Sequence, residues 1–372
     1  MSRGAGQATR NLDVEVLTEL PAVEAIAPEW NRLAEERSAQ PFALPGLALA
    51  WWRELGKGGL SVVTVRNGRG ALVGVGPLFS RPRGRLMTLS FLGRGLGAVG
   101  QLLIAPAKAD IAGVIWSALD PDSVLDLVDY RHRGDGFESL RRHDQWLIHA
   151  ELSDECPVVD LTGVTSVEEF LAAPQRSGLR KKLAKARRSL PEECVSMAVY
   201  TEPSDIEAEW NALRSLYDRA EGANPRLHLG RPPLQAFFDS ALRDLAAEGQ
   251  VAITTLTIKG RRAAFDVYVL SGSTAYAILG RFDPDLRDHS PGQLLTERGV
   301  QWAIDAGYTT IDLQLGGDLY KQRWSTGSYD TLDVVAATNG HRVARARATL
   351  GAVETAYSVK QQLNQAVNRW RE

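Results

Sequence analysis

The segment from Gly280 to Trp324, GRFDPDLRDHSPGQLLTERGVQWAIDAGYTTIDLQLGGDLYKQRW, constrains the fold more than any other part of the chain. Its pattern predicts strand, loop, capped helix, strand and a short polar segment. The expected strands are 273–281 and 308–313, with a helix over 290–306 between them. Such a unit supplies the crossover that two neighbouring parallel strands require. The helix start is set by three residues: Ser290 as N-cap, Pro291 at the first helical position and Gln293 closing a capping box. Gly292 is the odd residue, because glycine inside a helix costs roughly 1 kcal/mol relative to alanine. What glycine offers is bare backbone N–H groups at the positive end of the helix, where an anion such as a pyrophosphate can approach.

A second pattern predicts two domains. Residues 62–94 and 251–281 both read strand, Gly-containing turn, strand, turn, strand, and both end in Leu-Gly-Arg. The turns at Asn67-Gly68 and Lys259-Gly260 suit hairpins. Helices are expected before each meander. In the first half they lie over 21–38, with Val23, Ile26, Trp30 and Leu33 on one face, and over 46–55 with Trp51 and Trp52. In the second they lie over 167–172, 176–190, 205–221 (behind a Ser204/Glu207 capping box) and 233–248. The aromatic stripes are expected to be core. Strands over 146–152 and 158–161 put the boundary near 153, giving domains 1–153 and 154–340 and a C-terminal helix over 341–372.

A length of 372 residues, with 44% hydrophobic and 24% charged side chains, suits a globular chain of that size. A net charge of −2 argues against a generally nucleic-acid-binding surface while leaving room for local basic patches. Cys156 and Cys194, the two cysteines, make neither a zinc site nor a disulfide framework, and no metal is expected. The N-terminus lacks the apolar core of a signal peptide, and no apolar run approaches the ~20 residues that span a bilayer. A cytoplasmic location is the expectation.

The residues quoted from the second half resemble the CelD-like family of the GNAT acyltransferase superfamily, which is related to the Fem peptidyltransferases. The matching features are the GRFDP turn (Gly280 to Pro284), the Ser-Pro-Gly helix start, Asp312 on the next strand, Gly316, and Tyr320-Lys321 with Trp324 beyond. A looser match runs through Phe91-Leu92-Gly93, Cys156-Pro157 and the basic helix near Lys181. The resemblance implies an α/β protein with mixed sheets and two tandem GNAT-like domains. The first is degenerate and shapes the acceptor cleft; Gly93-Arg-Gly-Leu-Gly is its vestigial donor loop. The second carries the donor-binding β-α-β unit of a bacterial transferase.

In such a fold the two parallel strands splay and the acyl donor lies in the gap, its pyrophosphate over the helix N-terminus near Ser290, Gly292 and Gln293. Arg287 and His289 add charge there. The segment has one glycine where the usual GNAT pattern has two, and Fem-type relatives also lack a full motif. Acyl transfer to an amine needs a base, donors for the oxyanion and an acid for the leaving group. Asp318 is the first choice as base and Asp266, an acid in an apolar strand, the second. Tyr320 stands where GNAT enzymes often place the acid, and Lys321 and Arg323 suit a phosphate or carboxylate on donor or acceptor. Trp324 and His228, the latter in a loop able to cover the acceptor, are assigned to substrate. The basic helix RSGLRKKLAKARRSL reads as a solvated face, and the Fem-like resemblance implies as alternative a contact there for tRNA or a pyrophosphate-bearing acceptor.

Three functions follow. The leading one is an N-acyltransferase that moves an acyl group from acyl-CoA or an acyl-carrier protein to a small-molecule or carrier-bound amine. The second is a Fem-like transferase that takes its donor from aminoacyl-tRNA, and the third a non-catalytic GNAT-fold binding protein. A homodimer stays open.

Overall fold

The computed structural model describes residues 12–106, 110–132, 135–223 and 232–352. The first half opens with β1 (Leu12–Leu17) and the helices α1 (Leu20–Ala25), α2 (Ala27–Glu36) and α3 (Pro45–Leu55). A meander follows: β2 (Gly59–Asn67), β3 (Leu72–Arg83) and β4 (Leu86–Phe91). Short β5 (Leu103–Ile104), α4 (Ile111–Ser117), β6 (Val124–Arg131), α5 (Asp135–Arg141) and β7 (Leu147–Asp160) complete it. The second half runs α6 (Val167–Ala172), α7 (Ser177–Arg188), β8 (Val195–Tyr200), α8 (Pro203–Ala223) and α9 (Pro232–Ala247). Its meander is β9 (Val251–Ile258), β10 (Arg261–Ser271) and β11 (Thr274–Phe282), followed by α10 (Pro291–Asp305), β12 (Thr310–Asp312), α11 (Leu319–Trp324), β13 (Gly327–Ala337) and a helix α12 at 340–352.

Sheet order shows the duplication directly. Twelve strands run β1-β2-β3-β4-β6-β13-β7-β12-β11-β10-β9-β8, with β5 added beside β3. From either edge inward the sequence of pairings is the same: an antiparallel strand, the meander, then one parallel strand reached through a helix. At the centre the halves exchange strands. β7 leaves the first half to pair with β12, β13 returns to pair with β6, and the two pair with each other along 147–158. The strands expected at 146–152 and 158–161 are therefore one continuous strand, and residue 153 lies within it.

The largest core cluster joins the halves as well. Trp30, Leu44, Leu47 and Trp51 of the first half pack with Phe237, Phe238 and Leu245 of α9 and with Phe265 and Val267 of β10. A second cluster lies on the other face of the second sheet half, under α6, α7 and α10, and a third lies under α4 and α5. The aromatic stripes of the sequence are core, as expected.

Several local expectations are corrected. The helix expected over 21–38 breaks at Ile26, where Pro28 opens a second helix. The basic helix expected over 176–190 forms as α7, Ser177–Arg188, and is preceded by a 3-10 turn at Pro174–Arg176. α8 starts at Pro203, with the Glu202 carbonyl accepting its first bonds, so Ser204 sits inside the first turn and cannot cap it. Of the C-terminal helix, 340–352 is helical and packs Val343 and Ala346 on Val124 and Ala337; the remainder lies outside the described residues.

Because one core spans both halves, unfolding in urea is expected to be a single transition by fluorescence and circular dichroism alike. Phe237→Ala should lower stability by about 3–5 kcal/mol without splitting that transition. Two separated transitions would contradict a shared core.

Candidate active site

β11 and β12 pair in parallel over three positions: Thr274↔Thr310, Ala275↔Ile311 and Tyr276↔Asp312. Beyond them β11 continues to Phe282 while the chain after Asp312 turns away toward Pro157 and Glu155 of β7. The strands part, and the backbone of β11 past Tyr276 loses its partner on that side. On its other edge β11 slips in register against β10 at Val267/Tyr268, which leaves Ile278 as an extra residue on β11. A bulge of this kind re-aims side chains beside a site and interrupts the ladder locally.

A cavity of about 320 Å³ opens beside the parted strand on the α10 face. Six of the residues expected at a site line it: Asp266, Tyr320, Arg287, Ser290, Gly292 and Gln293. Lys182 from α7 and Arg281 from β11 line it too.

Asp266 is the most perturbed group there. Its register partner is Gly280. A Cβ at Gly280 would lie 2.2 Å from Asp266 Oδ1, so the carboxylate occupies the space a side chain would fill. Protein surrounds the group while part of its surface faces the cavity, and this burial pushes its pKa up to about 7; a long 3.4 Å bond from the Tyr268 hydroxyl opposes the shift only weakly. A carboxylate poised near neutrality is suited to take and return a proton.

The start of α10 differs from the expected capping box. Ser290 holds the N-cap place, but its backbone is left-handed (φ 51°, ψ 48°) and its side chain caps nothing. Gln293 turns inward, and its Oε1 accepts from Trp324 Nε1 at 3.3 Å. The helix therefore presents backbone N–H at its positive end, uncovered by a side-chain cap, next to the cavity. Gly292 has only Phe282 at 3.7 Å where a Cβ would go, so the site has room for a ligand against the backbone.

The equivalent helix in the first half is closed. At α4 the Asp110 carboxylate accepts from Gly113 N at 2.8 Å and from Ser139 Oγ at 2.9 Å. The first-half gap is filled as well. Arg94, from the glycine-rich loop after β4, pairs with Asp126 at 2.9 Å, and Gly100 bridges to Tyr130 alongside β6. Asp126 and Asp312 hold matching places, third along each parallel strand.

The remaining predicted residues lie outside the cavity lining. Asp318 is exposed at the start of α11, where its charge acts on Lys321. Lys321 is buried and donates to the Gln314 carbonyl at 3.2 Å and to that of Leu315. Burial lowers its pKa. Trp324 is fully buried and stacked on Phe170 at 6.1 Å, so it supports the site from the core and cannot meet a substrate. His289 contacts Ser189 Oγ at 3.1 Å through Nδ1. Arg323 is exposed near Lys182, whose pKa is lowered by burial and by that neighbour. His228 lies outside the described residues. Asp312 is buried and accepts from Tyr329 Oη at 2.8 Å and from Gln314, a partner set that makes it a link between strands.

Comparisons with known proteins agree with this geometry. Residues 176–322 match the family model of an acetyltransferase (GNAT) domain. No curated protein matches the sequence. Among solved structures the chain is similar to FemX, at 11% identity and a TM-score of 0.60, covering 90% of this chain and 99% of that one. It is also similar to the C-terminal domain of a putative lysylphosphatidylglycerol synthetase from Agrobacterium fabrum (14%, TM-score 0.56, 89% and 97% covered) and to L-PGS from Bacillus licheniformis (13%, 0.54, 85% and 97%). The fold is a mixed α/β sheet built from two similarly ordered halves, and the second half, with its β-α-β unit, carries the match to the GNAT domain.

The raised pKa of Asp266 carries a stability signature. Between about pH 4, where an unfolded Asp ionises, and pH 7, the folded state holds a proton that the unfolded state has lost. Stability from this group is full below pH 4, falls as pH rises to 7 and is flat above. Asp266→Asn should therefore be more stable than the parent at pH 8 and lose that advantage near pH 4, measured by urea unfolding at both pH values.

Proposed function

We propose that the protein is an N-acyltransferase whose donor, an acyl-CoA or an acyl group on a carrier protein, enters the second-half cavity. The observation that carries this reading is the convergence of the open α10 N-terminus, the Lys182 and Arg287 cations and the near-neutral Asp266 on one cavity. The donor's phosphates lie over Gly292, and its acyl carbonyl reaches the gap between β11 and β12. The acceptor nitrogen attacks the carbonyl carbon, and backbone N–H groups of the unpaired edge of β11 hold the oxyanion. Asp266 takes the amine proton, directly or through a water. The tetrahedral intermediate then expels the thiolate, to which Tyr320 gives a proton.

Asp266→Asn should lower kcat by 10²–10⁴-fold and Tyr320→Phe by a smaller factor, measured with acetyl-CoA and a panel of amines. The acid limb of the pH profile should rise through about pH 7 in the parent and vanish in Asp266→Asn. Asp318→Asn should act only modestly. Unchanged turnover in Asp266→Asn would remove Asp266 as the base. Absence of transfer from every donor would favour a binding protein.

A second donor is favoured by one feature. Lys181, Lys182 and Lys185 are exposed on α7, and Lys182 joins this basic face to the cavity. FemX and the lysylphosphatidylglycerol synthetase domain share the fold, and the Fem-like resemblance of the sequence adds an aminoacyl-tRNA donor as the alternative on that scaffold. In that case replacing the three lysines by glutamine should weaken tRNA binding and flatten its salt dependence by about three contacts; an unchanged slope would exclude it.

A further inference from the structure

A second cavity, about 50 Å³, lies on the other face of the parted strand. Its walls come from both halves: Phe42, Leu47 and Leu96 from the first, Phe237, Phe238 and Ile278 from the second. Gln314 contributes a polar side chain. Two observations tie this cavity to the reacting centre. Ile278, the extra residue of the bulge, sits two positions, about 7 Å, before Gly280 on the same strand. Gln314 follows Asp312, the last residue of β12 before the strands part, by two positions, and its Nε2 donates to Asp312 Oδ1 at 2.9 Å. Both edges of the gap thus border the second cavity, as the Asp266 face borders the first.

We propose that this cavity binds the non-polar part of the acceptor, so that the substrate class is a primary amine carried on a small hydrocarbon group. The proposal rests on the acyl-transfer reading. With the donor arriving from the α10 face, the amine reaches the carbonyl carbon through the gap from the opposite face, and its proton passes to Asp266 by the water-mediated route. The cavity there is lined by apolar groups held by aromatic contacts, Phe42 stacked on Phe237 at 6.1 Å and Phe237 edge-on to Phe238 at 5.0 Å. At roughly 10–15 Å³ for each water-sized group, its volume admits about three to five carbon-sized groups. A hydroxyl pressed against the aromatic and aliphatic walls, away from Gln314, would lose its water without gaining a partner, a loss of about tenfold in affinity or more. The lining therefore selects against amino sugars and amino alcohols and in favour of aliphatic or aromatic amines.

The test is a ligand-observed NMR titration of the full chain with isobutylamine, benzylamine, ethanolamine and glucosamine. Isobutylamine should bind at least tenfold tighter than ethanolamine or glucosamine. Leu96→Trp, which fills the cavity at a half-buried position, should weaken isobutylamine binding at least tenfold and leave a coenzyme A titration unchanged. Leu96→Ala, which enlarges it, should shift preference toward benzylamine. Equal affinity for isobutylamine and ethanolamine, or amine binding indifferent to both variants, would overturn the proposal. So would a long-chain acyl-CoA that loses affinity in Leu96→Trp while the amines do not, since the cavity would then take the acyl tail. Amine selectivity that responds to both variants, with no transfer from any donor, would leave the cavity assignment standing and remove the acyl-transfer reading instead.

Discussion

Three residues of parallel pairing, Thr274 to Tyr276 against Thr310 to Asp312, decide where chemistry can happen in this molecule. A longer β12 would have kept the two strands zipped and consumed the backbone groups of β11. Because β12 is short, β7 and β13 take over its flank, and the sheet stays continuous across the chain while remaining open at one place. The hydrogen bonds from Leu313 and Gly316 to Pro157 and Glu155 of β7 hold the gap apart. The strand exchange that joins the halves therefore also opens the site.

Duplication makes the asymmetry between halves instructive. Both carry a meander, a crossover helix and a buried aspartate at the third position of the parallel strand. In the first half Asp110 caps the helix, Arg94 neutralises Asp126 and the segment through Gly100 occupies the gap. Each is an internal group standing where an external one would otherwise bind. In the second half the helix has no side-chain cap and a cavity replaces the plug. The first half supplies instead α2, α3 and the polar link from Gln40 Nε2 to Tyr329 Oη at 2.9 Å, which fixes Asp312 through Tyr329.

Much of this is legible in the sequence. Strand alternation and Gly turns place both meanders, and the Ser-Pro-Gly string places α10 to within a residue. Gly292 and Asp266 follow from residue type and neighbourhood, Arg287 and Tyr320 from the family resemblance, and the four meet in one cavity. What is hidden depends on distance in sequence. Trp324 and Lys321 look like site residues because they follow the second strand, yet one packs on Phe170 and the other ties down the Gln314–Leu315 carbonyls. The pairing of Asp266 with Gly280 was available: counting back from the Ser271–Thr274 turn, with one bulge, brings a carboxylate against the one residue type that leaves it room. The match of Val-Leu-Asp-Leu at 124–127 to Thr-Ile-Asp-Leu at 310–313 would also have aligned the two parallel strands. The exchange of β7 and β13 between halves has no local signal, since the first nine residues of β7 carry no buried alternation that would name a partner.

The central claim is that the open N-terminus of α10 receives the donor's phosphates and the closed one of α4 does not. The direct measurement is a titration of glycine-¹⁵N-labelled protein with coenzyme A, following the amides of Gly292 and Gly113. The account predicts a saturable shift at Gly292 with Gly113 unmoved, and loss of coenzyme A binding, read by calorimetry, in Gly292→Leu. A shift at Gly113, or none at Gly292 while coenzyme A binds elsewhere, would contradict it.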